Sequence, residues 1–285
     1  MNHDTDGEIE RISQLLENGL IGRQPKQEGE SKQGADARSE TQNTQGQADQ
    51  LQTSPTIQIH PDAGRERRKG TPEIIFGENK ETSQIIAMAQ GLLTGTGRAI
   101  ISRLQPTAVD PVRAAFRECT VRVREAARAM VIYSPTYSRV LTGGHVGIIS
   151  AGTSDIPVAD EAALIAEEMG CRITCIYDVG VAGLHRLFRP LRDLLAEDVD
   201  VIIVAAGMDG ALPSVVAGLV PVPVIGLPTS IGYGLGGKGV AALLSMLQTC
   251  APGMSVVNID NGVGAGMTAA LIANRIAHAR EHQSQ

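Results

Sequence analysis

The sequence predicts an α/β protein whose C-terminal half is a three-layer sandwich around a parallel, flavodoxin-like sheet. Three observations predict it. From Gly144 onward, short apolar runs alternate with segments of helical spacing. The run Val199 to Ala206 carries almost no polar residue, as a strand buried on both faces requires. Each apolar run ends in a polar, glycine-bearing turn, and right-handed crossovers bring such turns to one edge of a sheet.

The elements follow in order. Residues 1–22 form a short segment in which Ile9, Ile12, Leu15, Leu16 and Leu20 keep near-helical spacing over 5–21. Residues 23–56 are rich in Gln, Ser, Thr and Glu, with Leu51 nearly alone as a large apolar residue. Such a composition cannot offset the entropy of ordering and predicts a disordered linker. A small α+β domain spans 57–143, with strands at Thr56–His60, Pro72–Gly77 and Ala99–Leu104 and weaker candidates at 119–123 and 130–133. Thr82–Leu93 is its helix, closed by Gly95 and Gly97.

The larger domain spans 144–280. Its strands are His145–Ser150, Cys171–Tyr177, Val199–Ala206, Val222–Leu227 and a short buried one at Met254–Ile259. Its helices are Pro157–Met169, Leu184–Leu195, Leu212–Leu219, Gly239–Thr249, which Cys250 closes, and a last one reaching about Arg280.

Composition narrows the function. The chain has 285 residues, 32 glycines and a formal charge of -6, so it lacks the basic surface that nucleic acid requires. Arg65-Glu-Arg-Arg-Lys69 is a short mixed cluster, either a solvated segment or a phosphate contact. No apolar run is long enough to span a membrane, and no basic leader precedes an apolar core. Four cysteines (119, 171, 175, 250) show no CxxC pairing, which predicts a reduced, cytoplasmic protein. Cys171 and Cys175 read as buried rather than metal-binding. Six histidines have no metal spacing.

The converging turns supply Ser150, Thr153, Ser154, Asp155, Asp178, His185, Asp209, Thr229, Ser230, Tyr233, Asn258, Asp260 and Asn261. Singly, each has a plain alternative. Ser154 and Asp155 are also helix caps, Asp178 an ordinary turn acid and His185 a solvated helix residue. On composition alone Cys250 reads as a small core thiol; its position at a helix end before a turn points the other way. Together they predict a ligand site at the carboxyl edge. No G-x-G-x-x-G follows the first strand, and neither GxxxxGK[ST] nor G-x-S-x-G occurs.

Ser150-Ala-Gly-Thr-Ser-Asp155, Asp178-Val-Gly-Val-Ala-Gly-Leu-His185, Ala206-Gly-Met-Asp-Gly210, Pro228-Thr-Ser-Ile-Gly-Tyr-Gly234 and Cys250 to Gly266 together resemble the LarB family. These are carboxylase/hydrolases of nickel-pincer nucleotide biosynthesis. The resemblance covers roughly 57–277 and includes Asp62-x-x-Arg65-x-x-Arg68-x-Gly70-x-Pro72-Glu73. The C-terminal half is also similar to PurE-like aminoimidazole-ribonucleotide carboxylases. The cysteine and the Val-Val-Asn-Ile-Asp-Asn-Gly run favour the pyridinium branch.

The resemblance implies carboxylation of nicotinic acid adenine dinucleotide at ring C5, with CO2 or bicarbonate as co-substrate, and hydrolysis of its phosphoanhydride. Pyridinium-3,5-biscarboxylate mononucleotide and AMP result. It implies Cys250 as the nucleophile and Asp209 as the acid/base or metal-side carboxylate, where the family often has glutamate. Ser154, Asp155, Asp178, His185, Thr229 and Ser230 are implied substrate contacts. Gly232, Tyr233 and Gly234 belong to a loop whose glycines let N–H groups approach phosphate, and Asn258, Asp260 and Asn261 to the ring pocket. Substrate-associated Mg²⁺ and a homo-oligomer, an octamer by analogy, are further expectations. A purine-type carboxylase or mutase and a non-catalytic nucleotide-binding protein are the alternatives.

Overall fold

The structure, a computed structural model, describes residues 61–283. The expected helix at 5–21, the linker at 23–56 and the strand Thr56–His60 lie outside the described residues.

The chain opens with a short helix α1 (Arg65–Lys69), then β1 (Ile74–Phe76), α2 (Thr82–Thr96), β2 (Arg98–Ser102), α3 (Pro106–Ala115), β3 (Thr120–Arg124) and β4 (Ala129–Tyr133). The four strands form a sheet of order β1-β2-β4-β3. β1 runs parallel to β2, and β4 is antiparallel to both β2 and β3. α3 has no counterpart among the sequence expectations. Pro106 opens it and Pro111 lies within it. Pro106 suits the first helical position, whereas Pro111 removes an internal donor and weakens the helical signal. Burial of Ala108 and Val112 in the core overrides it.

The second half continues with β5 (His145–Ser150), α4 (Ile156–Glu168), β6 (Arg172–Ile176), α5 (His185–Ala196), β7 (Val201–Ala206), α6 (Ala211–Ala217), β8 (Val224–Pro228), α7 (Val240–Leu247), β9 (Met254–Val256) and α8 (Gly262–Gln283). All neighbouring strand pairs are parallel, in the order β6-β5-β7-β8-β9. Apolar side chains of α4 and α8 cover one face of this sheet, and those of α5, α6 and α7 the other. This is the flavodoxin-like sandwich the alternation predicts. The strand order reverses between β5 and β7, where open α/β sheets bind ligands outside the strands' carboxyl ends.

The small sheet packs one face on α2 and α3. From its other face, Ile74, Ile100 and Val131 join the same hydrophobic cluster as α4 and β5. Charged groups tie the same surfaces. Arg122 and Arg124 of β3 reach Glu167 of α4 at 2.8 and 2.7 Å, and Arg98 of β2 reaches Glu168 at 3.2 Å. α4 is thus held between the two sheets along much of its length, from Asp160, paired with Arg124 at 2.7 Å, to Glu168.

Two expectations near the C-terminus are corrected. The last strand ends at Val256, not Ile259, and is partly exposed rather than buried, because β9 is a sheet edge. The helix before it ends at Leu247, so Cys250 stands in the following turn and does not close the helix. Cys171 is buried as expected, whereas Cys175 is exposed on the edge strand β6.

Candidate functional site

Two adjoining cavities lie at the carboxyl edge of the large sheet. The larger, of about 490 Å³, sits between the turns after β5 and β7 and is lined by Gly152, Ser154, Asp155, Val181, Met208 and Asp209, among others. The smaller, of about 210 Å³, lies where the small sheet meets that edge and is lined by Glu78, Arg103, Arg128, Ser154, Ser230 and Asp260, among others. Ser154 and Ile231 belong to both.

The turns hold this shape through polar ties. Asp155 is buried. One of its oxygens accepts from the Thr229 hydroxyl at 2.6 Å and the other from the Gly152 N–H at 2.8 Å. Asp155 and Thr229 therefore fasten the turn after β5 to the end of β8. The Asp260 N–H donates to the Pro228 carbonyl at 2.9 Å, and its carboxylate accepts from the Ser230 N–H at 2.8 Å. Asn261 accepts from the Gly264 N–H at 2.8 Å, as an N-cap of α8 does. Asn258 accepts from the neighbouring Ile259 N–H at 2.9 Å.

Asp209 is exposed, between Met208 (φ 53°) and Gly210 (φ 59°), both in the left-handed region. Among the described residues its carboxylate has one weak contact, from the Ala211 N–H at 3.4 Å, and it lines the larger cavity. Gly207 is required by close approach: a Cβ there would stand 2.2 Å from the Ile231 carbonyl oxygen.

Ser154, Asp155, Asp209, Ser230 and Asp260 thus gather at the cavities. Asp178 and His185 do not line either. Asp178 pairs with Arg186 at 2.7 Å, and His185 is an exposed first residue of α5. Gly232, Tyr233 and Gly234 lie in the exposed loop between β8 and α7.

Cys250 is separated from the cluster within one chain. It precedes β9, whose first residue Met254 pairs with Val224 at the start of β8. Asp209 follows β7, whose last residue Ala206 pairs with Pro228 at the end of β8. Four steps of about 3.3 Å, from Val224 to Pro228, put roughly 13 Å between those edges. The cysteine is exposed, in the turn that enters β9 at the amino edge of the sheet.

Sequence reasoning missed the residues on the far side of the smaller cavity. Glu161 is buried, accepts from the Ser102 hydroxyl and lies 3.7 Å from Arg103. Burial pushes its carboxyl above the usual range, against the lowering pull of Ser102, Arg103 and the Val263 and Gly262 N–H groups. Glu78, Arg103 and Arg128 come from turns of the small sheet. Nothing in one sequence marks them, because only the packing of two sheets brings them here. The Arg65–Lys69 cluster is largely structural: Arg65 pairs with Glu73 at 2.8 Å and Arg68 with Asp62 at 2.5 Å.

Among the described residues no three His, Cys, Asp or Glu side chains converge as a metal cage. This donor set does not by itself fit Mg²⁺. No described helix is long and apolar enough to cross a membrane.

A model of the LarB/PurE-like N-terminal domain matches residues 57–134, and an AIR carboxylase model matches residues 145–285. The chain is 44% identical over 220 residues to an uncharacterized protein of Methanocaldococcus jannaschii, covering 76% of this chain and 84% of that protein. The chain belongs to the LarB family. Its PurE-like half is similar to N5-carboxyaminoimidazole ribonucleotide mutases. The Thermotoga maritima protein is 34% identical over 45% of this chain and 73% of its own length. The Mycobacterium tuberculosis protein is 37% identical over 48% and 76%. In this LarB-family chain the N-terminal sheet supplies Arg103 and Arg128 to a cavity whose other wall, Ser154, Ser230 and Asp260, is PurE-like.

Proposed function

We propose that this protein carboxylates the pyridinium ring of nicotinic acid adenine dinucleotide at C5 and hydrolyses its phosphoanhydride. The products are pyridinium-3,5-biscarboxylate mononucleotide and AMP, in nickel-pincer cofactor synthesis. One observation carries the reading: two cavities share a wall at Ser154 and Ile231, one PurE-like throughout and one closed by the LarB-type sheet. That is room for a ligand in two parts.

The chemistry needs an electron source, because a pyridinium carbon is too electron-poor to attack CO2. The Cys250 thiolate adds to the ring and forms a C–S bond, leaving an enamine with a nucleophilic C5. C5 bonds to the carbon of CO2, which becomes a carboxylate. A base takes the C5 proton, the C–H electron pair restores the ring, and the C–S bond breaks to return the thiolate. Asp209, open to the larger cavity, is our candidate base. Water then cleaves the phosphoanhydride.

Since Cys250 and Asp209 lie at opposite edges of one chain, the reading requires a homo-oligomer in which one copy delivers its cysteine to the cavity of another. Exposed Met208, Tyr233 and Leu235 near the cavity, and Leu244 and Leu247 on α7, offer apolar surface for such a contact.

The relatives' names favour a second reading, a mutase acting on an aminoimidazole ribonucleotide, which needs no cysteine. The purified protein incubated with the dinucleotide and ¹³C-bicarbonate, followed by mass spectrometry, decides. The expected result is AMP together with a mononucleotide that has gained one labelled carboxylate, both abolished by Cys250→Ser. Neither product from the wild-type protein sinks the proposal. Turnover of the aminoimidazole substrate by Cys250→Ser supports the mutase.

A further inference from the structure

The smaller cavity holds two arginines in an unusual backbone state. Arg103 has φ 52° and Arg128 φ 49°. Side chains other than glycine enter this region at a cost, and such residues cluster at ligand sites. The two turns are joined: the Leu104 N–H donates to the Arg128 carbonyl at 2.7 Å. Arg103 leaves the end of β2 and Arg128 precedes the start of the antiparallel β4. The strand pairing therefore places both side by side on the cavity wall.

Their charges are not equally spent. Arg103 donates to the Asp260 carbonyl and lies 3.5 Å from Glu78 and 3.7 Å from Glu161. The Arg128 side chain is exposed and has no hydrogen bond or ion pair among the described residues. The cavity's acids are already engaged, Glu161 by Ser102 and Arg103, Asp260 by the Ser230 N–H, and Glu78 by Arg103. The hydroxyls of Ser154 and Ser230 line the same space as Arg128 and bond no group among the described residues. Two guanidiniums and two hydroxyls lining one cavity, with the Arg128 charge unpaired among the described residues, are a donor set for a phosphate oxyanion.

We propose that this cavity is a phosphate site, with Arg128 as the recognition residue and Arg103 as the residue that positions its turn. Resting on the function proposed above, the ligand is the diphosphate of the dinucleotide. The LarB-type sheet then acts as a clamp on the phosphates while the ring occupies the larger cavity.

The test uses the full-length protein and inorganic pyrophosphate as probe, by titration calorimetry, with wild type, Arg128→Gly and Arg128→Lys. Glycine removes the charge at a position whose backbone favours it, so the thermal midpoint should hold or rise. Pyrophosphate affinity should fall about tenfold or more in Arg128→Gly and fall less in Arg128→Lys. With the dinucleotide, KM should rise more than kcat falls. No pyrophosphate binding by the wild type, or equal affinity in wild type and Arg128→Gly, overturns the site. Tighter pyrophosphate binding by wild type than by Arg128→Gly, without dinucleotide turnover, sustains the site and sinks the proposed reaction instead.

Discussion

Single residues at the carboxyl edge owe their identity to contacts a sequence does not display. Gly262 begins α8 directly against α4: a Cβ there would stand 2.5 Å from a Glu161 carboxylate oxygen and 2.6 Å from the Val158 carbonyl. Gly262→Ala should therefore destabilise the protein by about 1–3 kcal/mol through overpacking, read as a lower midpoint in chemical denaturation. An unchanged midpoint would mean that α8 slides freely on α4. The sequence shows Asp260-Asn261-Gly262 as a glycine turn before a helix, which is correct. It cannot show that the glycine is there for a buried glutamate a hundred residues earlier. Asp155 illustrates the same limit. Read alone it is a ligand contact or a cap; one oxygen does cap its own turn at the Gly152 N–H, but the other ties that turn to Thr229, 74 residues on.

At the scale of elements, the strands and helices of the large sheet were legible because their signal is local. An apolar run such as Val201–Ala206, wholly buried, announces its own environment. Edge elements were less legible: β9 is short and half exposed, and α3 carries Pro111 in its interior. The seam between the small sheet and α4 was not legible at all, since charges that pair across it look like solvated ones. Glu167 is its centre, within 2.7–2.9 Å of Arg122, Arg124 and Arg139. Burial alone raises a carboxyl, but the Arg122 and Arg139 guanidiniums outweigh it and hold Glu167 down to about 2. A depressed folded value means that this stabilisation is present above the unfolded carboxyl range and is lost as pH falls towards 2. Glu167→Gln should cost about 2 kcal/mol at pH 6. The gap in thermal midpoint between wild type and variant should hold from pH 6 to about pH 5 and narrow from there to pH 3. A gap independent of pH in that range contradicts the clasp.

For the whole molecule, the converging turns were legible in the sequence, and the place of the cysteine was not. Strand polarity decides it: whatever precedes β9 lies at the amino edge, and whatever follows β7 lies at the carboxyl edge. One chain holds Cys250 and Asp209 apart, so a reaction that uses both must borrow one from a neighbour, as closed symmetric oligomers permit. This has a consequence that no single-site defect shares. Cys250→Ser and Asp209→Asn should each be inactive as pure proteins. When their subunits are unfolded and reassembled together in equal amounts, some sites receive the intact cysteine from one chain and the intact aspartate from the other. Random pairing in a two-site dimer restores about one quarter of wild-type activity. A cysteine that served its own chain's aspartate would restore none, because every site would then carry one defect. The mixed sample's carboxylation rate therefore discriminates between a site built across two copies and a large rearrangement within one.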